Sequence, residues 1–235
     1  VLMTSLILPV GLRWAAWPAT VEAQFFSDTF DCYATGSSIA GQGGWETWDN
    51  NPAWDTYVTD VHSFTSPNSL FVAGLADIVH QFTGVDSGVW YAKAQTYVPS
   101  SQTGEMYFIL LNTYAPGGAS NNWSVQVVLC QSGCTTLGAV AGQVVNLGGS
   151  DVPGAGSAPL MTDQWVEIMI EVDLSLSIYT LYYDGVQIDQ QTWTTTGLNE
   201  IQAMDLFSNG SSESYMDNIW LDTTVPVELM SFTID

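Results

Sequence analysis

Apolar residues along this chain recur in short runs separated by Gly, Asn, Asp, Ser and Pro. The clearest runs are MYFILLN (106–112), WSVQVVLC (123–130), WVEIMIEVD (165–173), IYTLYYD (178–184), IQAMDLFS (201–208) and YMDNIWL (215–221). All are short and rich in β-branched and aromatic residues, which suit a pleated, half-buried surface. In 165–172, Val166, Ile168, Ile170 and Val172 share one parity, and Trp165, Glu167, Met169 and Glu171 the other. That spacing predicts a strand with a uniformly apolar core face. The Asp184-Gly185 dipeptide predicts a tight hairpin joining 178–183 to 186–191. No stretch carries a capped helical period and no internal repeat is visible. Residues 114–122 and 141–160 read as loops, the second wrapped around one short apolar run. Many strands at close spacing without intervening helices predict an all-β, two-sheet antiparallel sandwich.

The two ends carry their own patterns. In VLMTSLILPVGL, Leu2, Leu6, Leu8, Val10 and Leu12 fall with Thr4 on one face of an extended strand. As a secretion leader this run ends far from the small-residue cut at VEA-Q, with Arg13, Trp14, Trp17 and Pro18 between. It therefore reads as a retained strand arm, too short in apolar residues to span a bilayer. Such an arm reaches roughly 40 Å at ~3.3 Å per residue, enough to cross a neighbouring domain. Its groove lies either in its own sandwich or in the next subunit; in the second case insertion is head-to-tail and builds a filament. The partition expected is an arm and spacer at 1–24, a sandwich at 25–224 and a C-terminal strand or tail at 225–235.

Charge narrows the partners. Twenty-four acidic residues face two basic ones, Arg13 and Lys93, for a formal net charge of −22. Nucleic acid and anionic membrane surfaces are repelled by such a chain, and cations are its natural counter-partners. Cys130 and Cys134 in CQSGC are spaced to close a small disulfide ring in an oxidising compartment, the alternative being two free thiols in a loop. That chemistry and the scarcity of Lys point to an extracellular or cell-surface protein.

Several stretches carry a family resemblance: FSDTFDCYATGSSIAGQGGWETW, PNSLFVAG, TDQWVEIMIEVDL with YTLYYDGVQI, and YMDNIWLD. In this order they resemble the concanavalin A-like jelly rolls, especially bacterial secreted laminin-G-like domains, over about 26–222. The resemblance implies a jelly-roll sandwich, and the fold hosts lectins, hydrolases and adhesive modules alike. It implies a structural Ca²⁺ between Asp28, Asp31 and Asp217, where hard oxygens from the first and last strands would meet. It also implies sugar binding. Trp45, Trp48, Trp54 and Trp123 could stack on pyranose faces, with Asp49, Asn50 and Asn51 bonding to hydroxyls. Hydrolysis is less well supported: Glu167, Glu171 and Asp173 share a face, but not in the order of the glycosidase motif. His62 and His80 stand without a nucleophile signature. Asn122 and Asn209 begin glycosylation sequons, and Thr223 follows Asp222 in an O-glycosylation-like pattern.

The expectation is a secreted, non-enzymatic, glycosylated subunit that polymerises with itself into a fibril through residues 1–12. The alternative is a free lectin-like domain that binds carbohydrate, or a degenerate glycoside hydrolase.

Overall fold

The computed structural model describes residues 25–118 and 120–223. The expected arm with Leu2, Leu6, Leu8, Val10 and Leu12, its spacer, and the tail at 225–235 lie outside the described residues. Among the described residues fifteen strands follow one another: β1 (Phe26–Asp28), β2 (Trp45–Thr47), β3 (Val58–Thr59), β4 (Ser69–Phe71), β5 (Asp77–Gln81), β6 (Val89–Tyr97), β7 (Glu105–Thr113), β8 (Asn122–Cys130), β9 (Gln143–Asn146), β10 (Ser157–Pro159), β11 (Trp165–Asp173), β12 (Ile178–Tyr183), β13 (Val186–Thr192), β14 (Ala203–Asn209) and β15 (Tyr215–Asp222). Two single-turn 3-10 helices, Trp48–Asn50 and Pro52–Trp54, are the helical elements among the described residues.

The strands form two antiparallel sheets. One runs β13-β12-β11-β6-β15-β4-β3 with β1 also on β15; the other runs β10-β9-β8-β7-β14-β5-β2. This is the two-sheet sandwich that the strand pattern predicts. Val166, Ile168, Ile170 and Val172 of β11 are buried between the sheets, on the parity read from the sequence. They meet Phe30, Leu70, Ile78, Phe108, Leu110, Val127 and Met216 in one core. The hairpin is also in place: Tyr183 registers with Val186, and Asp184 and Gly185 both take positive φ, as a two-residue turn of this hand requires.

The loop expected over 141–160 contains two strands. Its apolar run is β9, which completes the hydrogen bonds of β8, and β10 pairs with β9 in turn. β6 lies between β11 and β15 at the centre of its sheet.

The seven-stranded sheet is apolar on both faces. Beneath it lies the core; on its outer face Val79, Tyr107, Ile109, Leu111, Val128 and Ala203 form a second buried cluster. β7 is accordingly buried at every position but its last, which explains its unbroken apolar run. Trp48, Trp123, Val145, Leu147 and Phe207 pack over this outer layer.

Candidate functional site

On that outer face β5, β14, β7 and β8 lie side by side. Asp205 of β14 registers with Val79 of β5 and Ile109 of β7, and Phe207 registers with Asp77. Alternation puts Asp77 and Asp205 on one face as diagonal neighbours, and they lie within hydrogen-bonding reach of each other. Asp205 is buried and Asp77 half-buried. The Oδ1 atom of each is buried and accepts no hydrogen bond from a protein N–H or O–H. Burial, above all, raises the Asp77 carboxyl to about 6; contact with Asp205 opposes the rise and the charge of Asp49 adds to it. Burial likewise holds Asp205 well above the carboxylate range, helped by the charge of Asp77 and the hydrogen bond with it. Like charges this close cannot both ionise, so at neutral pH the pair shares one proton.

A wall of aromatic rings rises beside the pair. Trp48 and Trp123 stack with centroids 5.7 Å apart and planes 10° from parallel, and Tyr114 tilts against Trp48 at 4.8 Å. No ring fits between the indoles at that spacing, so a ligand meets the pair from outside. The turn that carries Trp48 is held by Asp49 and Asn50, both in the left-handed region that Asp and Asn tolerate. Asp49 also ties the turn to the loop after β7: its Oδ1 accepts from the Gly117 N–H at 2.6 Å, and its N–H meets the Tyr114 hydroxyl at 3.4 Å. Burial pushes the Tyr114 hydroxyl up to about 12, although the Asp49 N–H pulls the other way.

Trp48, Trp123, Ile109 and Phe207 supply the apolar lining of a recess of about 250 Å³, and Asp77, Asp205 and Gln126 its polar groups. That is small beside the ~300–1,000 Å³ of drug-sized pockets, so it suits one ring of a ligand.

The residues expected from sequence divide. Trp48 and Trp123 come together at the recess. Trp45 does not: it is 1% exposed in the core, its indole N–H donating to Asp28 Oδ2 at 2.9 Å, so it offers no face to a ligand. Trp54 is half-buried in the second 3-10 turn, outside the recess lining. Asn50 is exposed on the first turn, and Asn51 caps the second by accepting from the Ala53 N–H.

β1 does pair with β15, and each of the three aspartates accepts hydrogen bonds from protein donors. Asp28 accepts from the Phe30 N–H, the Tyr33 hydroxyl and Trp45; Asp31 accepts from the Asn68 N–H at 2.9 Å. Asp217 accepts from the Phe64 and Thr65 N–H groups at 2.7 and 2.9 Å. Burial raises Asp217 to about 6, those donors opposing it and the charge of Asp31 adding to it. Among the described residues no group of three or more His, Cys, Asp or Glu side chains is placed to hold a metal ion.

Cys130 and Cys134 form a disulfide, and Cys32 is an exposed thiol. The Asn122 amide packs against Gly197, whereas that of Asn209 donates to Glu105 at 2.7 Å; Thr223 is exposed. Glu167 pairs with Lys93 at 2.7 Å on the other sheet. His80 packs among Phe26, Trp45 and Phe82, and His62 stacks on Tyr97.

Similarity in shape settles the architecture. A sialidase superposes with a TM-score of 0.54 at 11% identity, over 84% of this chain and 18% of the sialidase. A Bacillus subtilis protein of unknown function with a galectin-like fold gives 0.53 at 8% identity, over 86% of this chain and 96% of that one. The fold is the concanavalin A-like jelly roll. A Trypanosoma rangeli sialidase in complex with 2,3-difluorosialic acid gives 0.51 at 12% identity, over 72% of this jelly roll and 27% of that chain. No protein-family model and no curated protein sequence matches the chain. The jelly roll thus corresponds to a small part of each sialidase and to nearly the whole galectin-like protein. Among its described residues no helix is long and apolar enough to cross a membrane.

Proposed function

We propose that this jelly roll is an extracellular carbohydrate-binding module whose ligand docks in the recess on the outer face of the seven-stranded sheet. The observation that carries the reading is the Trp48–Trp123 stack beside Asp77, Asp205 and Gln126. A pyranose has an apolar C–H face and a rim of hydroxyls, and the recess has an aromatic wall and a polar floor to match. Binding without catalysis fits better than hydrolysis. A glycosidase holds its two carboxyl groups apart, ~5 Å or more, to flank the scissile bond; Asp77 and Asp205 instead touch and share a proton. The disulfide suits an oxidising compartment. Polymerisation through residues 1–12 is a separate expectation, and the recess is independent of it.

A glycan array followed by calorimetry tests the proposal. Trp123→Ala and Trp48→Ala should each weaken the best ligand by about tenfold or more, the loss expected for an uncovered ring contact. Trp54→Ala, outside the recess, should leave affinity unchanged. Binding that survives both wall variants places the ligand elsewhere on the domain, and an array without any bound glycan ends the reading.

A further inference from the structure

The charge around the recess is one-sided. Asp77 and Asp205 lie on its floor, and Glu46 and Asp49 act on the neighbouring Tyr114 and Asp77. Among the described residues nothing basic answers them. Lys93 is the one Lys or Arg among the described residues, and its ammonium is on the other sheet, bound to Glu167 and 5.1 Å over the Trp220 ring. His80 turns inward among aromatic rings, and burial keeps it neutral by lowering its pKa. Among the described residues the recess therefore presents a half-buried carboxylate with no cation beside it, next to the Trp48 and Trp123 indoles. Each of these features favours a positive ligand: a carboxylate forms its strongest hydrogen bonds with a charged donor, and indole faces attract ammonium groups. An acidic saccharide would place a second negative charge beside the first, with no arginine among the described residues to receive it.

We propose, resting on the saccharide reading above, that the recess selects a sugar bearing a free amino group. Its ammonium lies against Asp77 and its ring covers the Trp48–Trp123 wall. Asp205 acts as a positioning residue: its proton holds Asp77 in place and leaves the unpartnered oxygen of Asp77 for the ligand. N-acetylation of the same sugar removes the charge and with it the preference.

The test compares glucosamine oligomers with N-acetylglucosamine, neutral gluco- and galacturonate oligomers of equal length. Calorimetry would be run at about pH 6.5, where an amine is largely protonated, in roughly 0.15 M salt. The free-amine oligomer should bind about tenfold or more tighter than its N-acetylated counterpart, and the acidic oligomer weakest. Asp77→Asn should erase the preference, with Asp77→Ser as the second variant should the first fold poorly by circular dichroism. Asp205→Asn should retain it within about threefold, because an asparagine N–H replaces the shared proton. Asp60→Asn makes the same charge change at an exposed site and should have no effect. Equal binding of the free-amine and N-acetylated oligomers overturns the ammonium proposal and leaves the saccharide reading standing. So does a preference that survives loss of the Asp77 carboxylate, or one that falls equally in Asp60→Asn. Absence of binding by all four oligomers also overturns the ammonium proposal, and the glycan array then decides the saccharide reading by itself.

Discussion

Glu105 opens β7 with no surface exposed, yet it is held as a carboxylate. Burial alone would raise its pKa, but donors from Thr136, Asn209 and Thr135 outweigh that and bring it down to about 2. The Thr136 N–H and hydroxyl each lie 2.7 Å from it, as does the Asn209 amide, and the Tyr107 hydroxyl lies at 2.9 Å. One side chain thus fastens the segment after the disulfide to the ends of β7 and β14. Glu105→Ala strands several buried donors and should cost about 3 kcal/mol or more in urea unfolding. Glu105→Gln, which keeps the shape but turns an N–H₂ toward other donors, should cost roughly 2 kcal/mol. An unshifted midpoint for the alanine variant would mean that water takes over the carboxylate's bonds. The same scale explains Trp45: the GGWETW stretch advertises two tryptophans alike, but the buried Asp28 carboxylate claims the first indole N–H. Sequence shows the aromatic side chain, not the partner that draws it inside.

Elements were legible in proportion to how much apolar bulk they carry. β7, β8, β11, β12, β14 and β15 correspond to the six strong runs, and the Asp184-Gly185 turn sets the β12–β13 pairing as far as a bulge between Leu181 and Tyr182. β6 is hidden because its inner face is built on Ala92 and Ala94, fully buried but too small to mark a core strand. β1 to β4 have two or three residues each, too few to show alternation, and β9 is four residues inside a Gly-rich stretch. Half of the candidate site followed the same rule. Trp48 and Trp123 stand out as aromatics beside polar loops, whereas Asp77 and Asp205 meet only through the register of β5 on β14. A local hint existed: Asp205 sits among Ala203, Met204, Leu206 and Phe207, apolar on both parities, and a charge in such a strand requires an explanation.

At the scale of the whole sandwich, the buried and hydrogen-bonded carboxylates with shifted pKa values include two groups with opposite pH behaviour. Asp77 and Asp217 are raised to about 6, and Asp205 is raised also. The folded state then binds protons more tightly than the unfolded chain. For Asp77 and Asp217 this contribution to stability is complete below the ordinary value of 3.8 and is lost as pH rises through about 6. Glu105, Asp151 and Asp189 are lowered by hydrogen-bond donors that outweigh burial, so theirs is present above the ordinary value and lost as pH falls through the folded one. Relief of self-repulsion at net charge −22 adds to the first group. The melting temperature should therefore climb from pH 8 to about 5 and fall below about 4. The double variant Asp77→Asn, Asp217→Asn should flatten the climb; an undiminished climb would assign it to net charge alone.

The Lys93–Glu167 ion pair on the larger sheet has a consequence for digestion. A protease that cuts after Lys or Arg finds one susceptible bond among the described residues, after Lys93. That bond lies mid-strand in β6, with β11 and β15 hydrogen-bonded on either side. An enzyme must draw its substrate out as a free extended segment, and here the segment is released only when the sandwich comes apart. Tryptic scission at this position therefore counts the molecules that have opened, which gives the chain a built-in reporter of its own unfolding.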